Sequence, residues 1–349
     1  MWFQGFSSTV LLWASLVSLP AVAAFPRPNQ AGRATQGGIW EELAPLSGGR
    51  RQEHAAVAIN NRIYVIGGLV PIGNPPTGVE TVGTIEVYDV QTNTWDTIAP
   101  LPVPMNHPNA AAADGKIYIL GGLSGNINGS FIGLTDAFEY NPRDDSWAVL
   151  PSLPEGTGRG SSIMGVYRDE IIVAGGVELI ELKYGGTQLT LDTVSAFNFK
   201  KRTWRSLPSL PEGREHAGGM VIRDTFYVVG GRFMGESNVR DTVLELSLKT
   251  WQWKNSRASM PTARGGISVA AVGSKIYAFG GEGNPDPTAG NTYNETEVYD
   301  VIRDRWEQLE PMPIPRHGFA AVTVGKTIYT PAGGIRDFDV TDRLQAFHP

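Results

Sequence analysis

The chain has no cysteine among its 349 residues. A disulfide framework, a thiol nucleophile and a zinc–thiolate site are therefore excluded. Charge is also scarce, since 18% of residues are charged, the formal net charge is −6, and lysine and arginine form no basic run. Nucleic-acid binding, which requires a basic patch, is not expected.

The amino-terminal 26 residues carry no charged side chain at all. Residues 10–22 are mostly apolar and small residues precede Phe25. This pattern predicts a secretory signal peptide over residues 1–24, followed by a flexible lead over residues 25–37. The alternative is an uncleaved anchor, but Pro20 interrupts an apolar run that is too short to span a membrane. We expect a secreted protein without stable membrane insertion.

Glycine, by contrast, is plentiful, and much of it falls in a repeated Gly-Gly doublet. Successive doublets begin 54, 54, 55 and 50 residues apart, and a sixth copy lies slightly out of register. A fixed period of about 50 residues is typical of repeat architectures. The doublets are Gly67-Gly68, Gly121-Gly122, Gly175-Gly176, Gly230-Gly231, Gly280-Gly281 and Gly333-Gly334.

Each doublet lies in the same local pattern. A tight-turn pair and a hydrophobic pair such as Ile63-Tyr64 precede it, and an apolar or aromatic residue such as Tyr88 follows after a variable loop. A tryptophan stands seven residues later, as Trp95 does in the first repeat. Short β-rich segments separated by Gly, Asn, Asp and Pro predict four strands per repeat.

The doublet, the aromatic residue and the spaced tryptophan resemble the signature of the kelch family over residues 40–349. The resemblance implies an all-β fold, a six-bladed kelch β-propeller over residues 38–349. No tryptophan follows the sixth repeat, so we expect Trp40 to lie on an amino-terminal strand that completes the last blade and closes the ring. Pro331, which cannot donate to a sheet ladder, predicts a bulge in that blade.

An arginine recurs 12 or 13 residues before the hydrophobic pair, in the loop that leads into the first strand of each repeat. We call this segment the approach loop. Loops carry function on repeat scaffolds, so we expect these arginines at the mouth of the channel, binding a ligand. The alternative is that they bond carbonyls of the neighbouring blade. They are Arg51, Arg159, Arg214, Arg264 and Arg316, with Met105 in the second repeat.

Four of the five histidines follow these arginine positions. Because histidine titrates near neutral pH, their clustering indicates acid–base chemistry. The candidate catalytic residues are His107, His216, His317, Glu53 and Glu215, and His54 is a further candidate for ligand binding.

Three functions stay open. The first is a secreted propeller that binds a small polar or anionic molecule and catalyses metal-free isomerisation or cyclisation of a metabolite or sugar acid, without a cofactor. It rests on resemblance to bacterial kelch-type sialic acid epimerases in architecture and to secreted fungal kelch proteins, some of which accompany natural-product pathways. The second is a monomeric module that binds a protein or carbohydrate. The third is a histidine-bound metal enzyme; a copper oxidase resembling galactose oxidase would need the missing cysteine.

Two further features belong to the loops that follow the doublets. N-x-Ser/Thr tripeptides begin at Asn128 and Asn294, and we expect glycan on one or both. The loop from Val177 to Leu191 is rich in apolar residues, including Tyr184, and we interpret it as a lid over the channel.

Overall fold

The computed structural model describes residues 37–73, 78–183, 186–254, 257–336 and 339–349. The predicted signal peptide, most of the predicted lead, and Tyr184 lie outside this range. Within it, no helix is long and apolar enough to cross a membrane. The one helical turn among the described residues is a 3-10 turn at Pro287–Ala289.

The strands run in chain order through the six repeats. The first eleven are β1 (Ile39–Leu43), β2 (Ala55–Ile59), β3 (Arg62–Ile66), β4 (Leu69–Ile72), β5 (Gly78–Thr81), β6 (Ile85–Asp89), β7 (Thr94–Ile98), β8 (Ala110–Ala113), β9 (Lys116–Leu123), β10 (Ser130–Asn141) and β11 (Ser146–Val149). The next ten are β12 (Ile163–Tyr167), β13 (Glu170–Ala174), β14 (Val177–Glu181), β15 (Gln188–Thr190), β16 (Val194–Asn198), β17 (Thr203–Leu207), β18 (Gly218–Ile222), β19 (Thr225–Val229), β20 (Val243–Ser247) and β21 (Gln252–Lys254). The last seven are β22 (Ser268–Val272), β23 (Lys275–Phe279), β24 (Thr296–Asp300), β25 (Arg305–Gln308), β26 (Val322–Val324), β27 (Thr327–Arg336) and β28 (Asp339–His348).

These strands form six antiparallel four-stranded blades. From the inner to the outer strand, the blades are β2-β3-β6-β7, β8-β9-β10-β11, β12-β13-β16-β17, β18-β19-β20-β21, β22-β23-β24-β25 and β26-β27-β28-β1. The innermost strands contact one another in sequence, and β26 contacts β2, so the ring is closed. The predicted six-bladed propeller is confirmed.

Local sequence explains why each blade forms. The predicted turn between the first two strands has a left-handed residue in every repeat, as at Asn60 (φ 55°) and Gly273 (φ 64°). Such turns match the twist of the strands that they join. Apolar side chains on both faces of the inner strands then pack between adjacent blades, as Ile172 of the third blade does with Phe226 of the fourth.

The tryptophans fasten each blade to its neighbour through one repeated hydrogen bond. In five blades the indole Nε1 donates to a carbonyl of the linker that leaves the preceding blade, as Trp95 does to Ala44 at 2.8 Å. Trp40 makes the sixth such bond, to Glu310 at 3.1 Å. The other pairs are Trp147 with Ala99, Trp204 with Pro151, Trp253 with Pro208 and Trp306 with Ala258.

The last blade closes the ring as the sequence predicts. Strand β1 pairs antiparallel with β28, and Trp40 lies opposite Phe347. The register between β27 and β28 shifts directly after Pro331, which confirms the expected bulge. Trp40 also packs edge-on against Phe279 of the fifth blade, with ring centroids 5.6 Å apart.

The loop from Val177 to Leu191 differs from the expected lid. It folds into the hairpin β14–β15, and β14 pairs with the amino-terminal end of β10 in the second blade. Backbone hydrogen bonds therefore hold this segment as part of a sheet. We call β14, β15 and residues 130–132 of β10 the crown sheet.

Candidate functional site

The five approach-loop arginines are in the predicted register, but they are not exposed at the mouth of the channel as expected. Each has at most 2% of its surface exposed. A buried guanidinium needs hydrogen-bond partners, and here the terminal nitrogens of all five bond groups within the protein. The Nε of Arg264 is also bonded, whereas the Nε atoms of the other four have no partner among the described residues. The residues corrected are Arg51, Arg159, Arg214, Arg264 and Arg316.

Buried carbonyls and carboxylates are the partners of these arginines. Arg51 bonds the carboxylate of Glu86 at 2.8 Å, and Arg264 bonds that of Glu297 at 2.5 Å. Arg159 and Arg316 have no carboxylate partner among the described residues, and burial lowers the pKa of Arg159 to about 10 and that of Arg316 to about 9. All five guanidiniums therefore have a structural role, as in the alternative given above, but their partners lie in their own blades and not in the neighbouring one.

The five arginines and Met105 occupy the same position in the six approach loops, which we call the register position. Two residues after it, the six loops meet around the channel axis. Each residue there donates its backbone N–H to the carbonyl of its counterpart in the preceding blade, at 2.6–3.3 Å. The six bonds form a closed circle, which we call the axial ring. Its members are Glu53, His107, Ser161, His216, Gly266 and Gly318.

All six members of the axial ring adopt left-handed backbone angles, with φ between 49° and 58°. For a residue with a Cβ atom, this conformation costs roughly 1–2 kcal/mol. Glycine avoids the cost at Gly266 and Gly318, where an added Cβ would also meet the carboxylates of Glu282 and Glu53. The other four members have side chains and adopt these angles despite the strain, which marks the side chains as candidates for function. They are Glu53, His107, Ser161 and His216.

His107 lies between two hydrogen-bond acceptors. Its Nε2 is 3.0 Å from a carboxylate oxygen of Glu53, and its Nδ1 is 2.6 Å from Oδ1 of Asn106. The Asn106 amide nitrogen donates to Thr81 and to the carbonyl of Ser124, which orients its oxygen toward the histidine. Only the doubly protonated imidazolium satisfies both acceptors. Burial nevertheless lowers the pKa of His107, against the opposing effect of Glu53, so this proton is readily released.

His216, whose ring centroid is 4.9 Å from that of His107, has the opposite environment. Its Nδ1 donates to Glu215 at 2.7 Å, and its Nε2 accepts from Arg232 at 3.1 Å. A ring nitrogen that accepts a hydrogen bond carries no proton, so His216 is neutral with its lone pair on Nε2. The two neighbouring histidines thus differ in protonation state.

Further charged side chains complete the cluster. Arg232 bonds Glu215 at 3.0 Å and also bonds Glu282, while His317 lies 3.9 Å from both Glu282 and Glu53. The contacts return to Glu53, so the side chains form a cycle around the axis. We call these seven residues the axial cluster: Glu53, His107, His216, Glu215, Arg232, Glu282 and His317.

Electrostatics keep the carboxylates of the cluster ionised. Burial raises the pKa of Glu215, but Arg232 and His216 outweigh it and lower the pKa to about 2. Burial likewise opposes ionisation of Glu53, but its interaction and hydrogen bond with His107, with smaller effects of His216 and His317, hold its pKa well below the ordinary range. Burial lowers the pKa of Arg232, but Glu282 and Glu215 reverse this and raise it.

A cavity of about 150 Å³ lies on the axis beside the cluster. Its lining consists of the axial ring and the next residue of each approach loop: Glu53, His54, His107, Pro108, Ser161, Ser162, His216, Ala217, Gly266, Ile267, Gly318 and Phe319. His54 is thus at the cavity, as predicted, but burial and the nearby Arg51 lower its pKa to about 3, so it is neutral.

The structure brings together every predicted histidine and glutamate, and it adds two residues that sequence reasoning missed. Arg232 and Glu282 each stand directly after a doublet, where the first three repeats have Leu69, Leu123 and Val177. In the first five repeats, the residue at this position forms an isolated β-bridge with the residue that follows the register position of the approach loop. In the sixth repeat the neighbouring Gly334 forms this bridge. A charged residue at a repeat position otherwise occupied by apolar side chains was the available signal.

The cluster also contains a set of possible metal ligands. One donor atom each from Glu53, His107 and His216 lies within 4.8 Å of the others. Two hydrogen bonds oppose the use of this set for a metal. Arg232 occupies the lone pair of His216 and adds a fixed positive charge, and Glu53 bonds the Nε2 of His107.

The two predicted glycan acceptors have different surroundings. Asn128 is exposed at a turn between β9 and β10. Asn294 is half-buried, and Thr296 of its tripeptide begins strand β24 with 2% of its surface exposed. The structure therefore favours Asn128 as the acceptor.

Fold and site together define a class: a six-bladed β-propeller with a charged, histidine-rich cluster on its axis. Family models agree with it. The Kelch motif matches residues 50–102 and 104–154, and the KLHDC2/KLHL20/DRC7 Kelch-repeats domain matches residues 181–349. The chain belongs to the kelch-repeat family.

Relatives differ in how much of their length the chain represents. It is 38% identical over 301 residues to Kelch-like protein terF of Aspergillus terreus, a match that covers 86% of this chain and 64% of that protein. It is 26% identical over 261 residues to Kelch-like protein 34 of Homo sapiens, covering 71% and 38%. The chain thus spans less than two thirds of the length of these relatives.

A solved structure supports the fold alone. The structure titled "Structure of YjhT" superposes with a TM-score of 0.69 at 17% identity, covering 86% of this chain and 95% of that one.

Proposed function

We propose that the axial cluster catalyses proton transfer on a small, uncharged, enolisable molecule, with His107 as general acid and His216 as general base. The observation that carries the proposal is the opposite protonation of these adjacent histidines, one between two acceptors and the other accepting from Arg232. Pairs of titratable groups held in different protonation states are the usual basis of acid–base assignment.

The chemistry uses the Nε2 atoms of the two histidines, which bond Glu53 and Arg232 until substrate displaces these contacts. As substrate enters, a C–H bond beside its carbonyl replaces the Arg232 donor at His216, and Arg232 keeps its contacts to Glu215 and Glu282. His216 takes the proton, the C–H electrons form the C=C bond, and the carbonyl oxygen takes the proton of His107. The products are an enol, a neutral His107 and a protonated His216 that Glu215 stabilises. In a substrate with a hydroxyl on the reacting carbon, His216 then gives its proton to the former carbonyl carbon, the hydroxyl proton returns to His107, and the electrons of that O–H bond form the new C=O bond, which completes an isomerisation.

The remaining residues hold these two groups in place. Asn106 and Glu215 bond the Nδ1 atoms and thereby orient both rings toward the axis. Such partners fix the tautomer and raise the efficiency of a general acid or base. The approach-loop arginines take no part in this chemistry, because they are buried and do not line the cavity.

Hydroxyacetone in D₂O provides a test, because loss of its α-proton signal in ¹H NMR measures enolisation directly. We expect the protein to accelerate exchange over buffer. His216→Gln and His107→Gln should each lower the rate by about 10²–10⁴-fold. His348→Gln is the matched control, since His348 is exposed and contacts Glu41 on an outer strand.

Two outcomes would redirect the proposal. Exchange no faster than in buffer, with the fold intact, would contradict it. Loss of exchange on addition of EDTA would instead assign the Glu53, His107 and His216 set to a metal.

We further propose that the protein acts outside the cell. The support is the uncharged amino-terminal segment and the exposed Asn128 tripeptide. Amino-terminal sequencing of material from a culture medium should begin at Phe25. Recovery of a chain that still begins at Met1 would contradict cleavage.

Binding of a protein partner is a second candidate, because the crown sheet and its adjoining loop expose apolar side chains. Ile132, Leu182 and Leu189 are 39%, 41% and 37% exposed. Exposed apolar groups in a cluster are typical of interaction surfaces. In this function, substitution of these residues with Ser would abolish partner binding, whereas changes at His107 and His216 would leave it unchanged.

A further inference from the structure

The size of the axial cavity limits what can react there. A cavity of about 150 Å³ is known to hold one benzene molecule, so a single five- or six-membered ring fills a space of this volume. The axial ring of backbone hydrogen bonds and the innermost strands fix the walls on all six sides. A larger molecule would have to leave its remaining atoms outside this space.

The charge of the lining excludes anions. Among the described residues, the lining contains no lysine or arginine, and the positive charge of the His107 imidazolium is already paired with the carboxylate of Glu53. The guanidinium of Arg232 is close, but Glu215, Glu282 and His216 already accept its hydrogen bonds. A carboxylate or phosphate would therefore face Glu53 without an unpaired positive group to compensate.

The lining is also mixed in polarity. Glu53, His107 and His216 of the axial ring offer hydrogen bonds, whereas the following residues of other approach loops, Ile267 and Phe319, are apolar. A ligand that satisfies both must carry oxygen at one edge and hydrocarbon at another. A fully apolar ring would leave the polar groups of the cavity without partners.

We infer that the reacting part of the substrate is an uncharged five- or six-membered ring that carries a carbonyl oxygen. This inference rests on the proposed function and adds the substrate class. The ring carbonyl accepts the proton of His107, the adjacent ring C–H faces His216, and the hydrocarbon edge contacts Ile267 and Phe319.

Three probes test the inference by ligand-observed NMR and calorimetry. Cyclohexanone should bind, cyclohexanecarboxylate should bind at least about tenfold more weakly, and cyclododecanone should not compete with cyclohexanone. Equal binding of the carboxylate or of the twelve-membered ring would overturn the inference. In Glu53→Gln the preference for cyclohexanone over its carboxylate should shrink.

A filling variant places the binding at this cavity. Ala217→Leu, which adds three carbon atoms to the lining, should abolish cyclohexanone binding, whereas the control Ala217→Ser should retain it. If Ala217→Leu does not fold, the Glu53→Gln comparison decides alone, and an unchanged preference there overturns the inference.

The two proposals fail differently. Hydroxyacetone is linear, so its exchange tests the proton chemistry without the ring. Exchange of hydroxyacetone with no binding of cyclohexanone would overturn the ring inference only. Binding of cyclohexanone with no exchange of either compound would contradict the proposed function and leave the ring preference standing.

Discussion

His54 should make the stability of the propeller sensitive to mild acid. This histidine is 6% exposed, and burial together with Arg51 lowers its pKa to about 3, against about 6.5 in an unfolded chain. Between these values the unfolded chain binds a proton at His54 that the folded protein does not. Stability is therefore complete above pH 6.5 and decreases as the pH falls toward 3.

The magnitude follows from linkage. One proton bound only by the unfolded state costs about 1.4 kcal/mol per pH unit, so His54 should remove about 2 kcal/mol between pH 6.5 and 5. Glu215, whose pKa is about 2, begins to lose its contribution only below the unfolded value near 4.3, so it does not contribute to the change between pH 6.5 and 5.

Urea unfolding at several pH values measures this effect. The wild-type free energy of unfolding should fall between pH 6.5 and 5, and His54→Gln should fall less steeply by about 1.4 kcal/mol per unit. His348→Gln is the control and should keep the wild-type slope. A His54→Gln slope equal to that of the wild type would show that His54 is protonated in the folded state and refute the reasoning.

Three other changes test other parts of the molecule. Trp40→Ala should cost about 3–5 kcal/mol in urea unfolding, as much as Trp147→Ala, because both make the inter-blade indole bond; an unchanged midpoint would contradict ring closure. Mass spectrometry of secreted protein should find glycan on Asn128 and none on Asn294, and glycan on Asn294 alone would contradict the assignment from exposure. Arg232→Met should leave the buried Glu215 and Glu282 without their cation and lower the free energy of unfolding by about 3–5 kcal/mol. Arg240→Met, at a half-buried pair with Glu212, should lower it by about 1 kcal/mol or less. Equal losses would contradict the role of Arg232 in neutralising the buried carboxylates.

The sequence was sufficient for the fold because each repeat carries its own turn, doublet and tryptophan. Six copies at one period specify the number of blades, and Trp40 replaces the tryptophan that the sixth repeat lacks. Pro331 marked the bulge because proline cannot donate to a ladder.

Only part of the candidate site could be predicted from the sequence. The histidines were correctly expected to converge, since they lie within three residues of the same repeat position and the approach loops of all six blades meet at the axis. The burial of the arginines could not be predicted, because the spacing between each arginine and the hydrophobic pair of its repeat is the same whether the guanidinium is buried or exposed. Arg232 and Glu282 were not predicted, because they follow the Gly-Gly doublet and lie 16 or more residues after the approach loop in sequence.

Backbone conformation was the least accessible property. Glutamate and histidine rarely adopt left-handed angles, so nothing in the sequence indicates that Glu53, His107 and His216 do so. Only the circle of six hydrogen bonds around the axis imposes that geometry, and it exists only once all six blades are assembled.

The central claim is that His107 and His216 are held in opposite protonation states. Long-range ¹H–¹⁵N NMR of histidine-labelled protein at pH 5, where a lowered pKa still permits the imidazolium of His107, reads both directly, with assignments from His107→Gln and His216→Gln. The account predicts two protonated ring nitrogens on His107, and on His216 a protonated Nδ1 with an unprotonated Nε2 that shifts in Arg232→Met. Two histidines with the same protonation state, or a His216 protonated at Nε2, would contradict it.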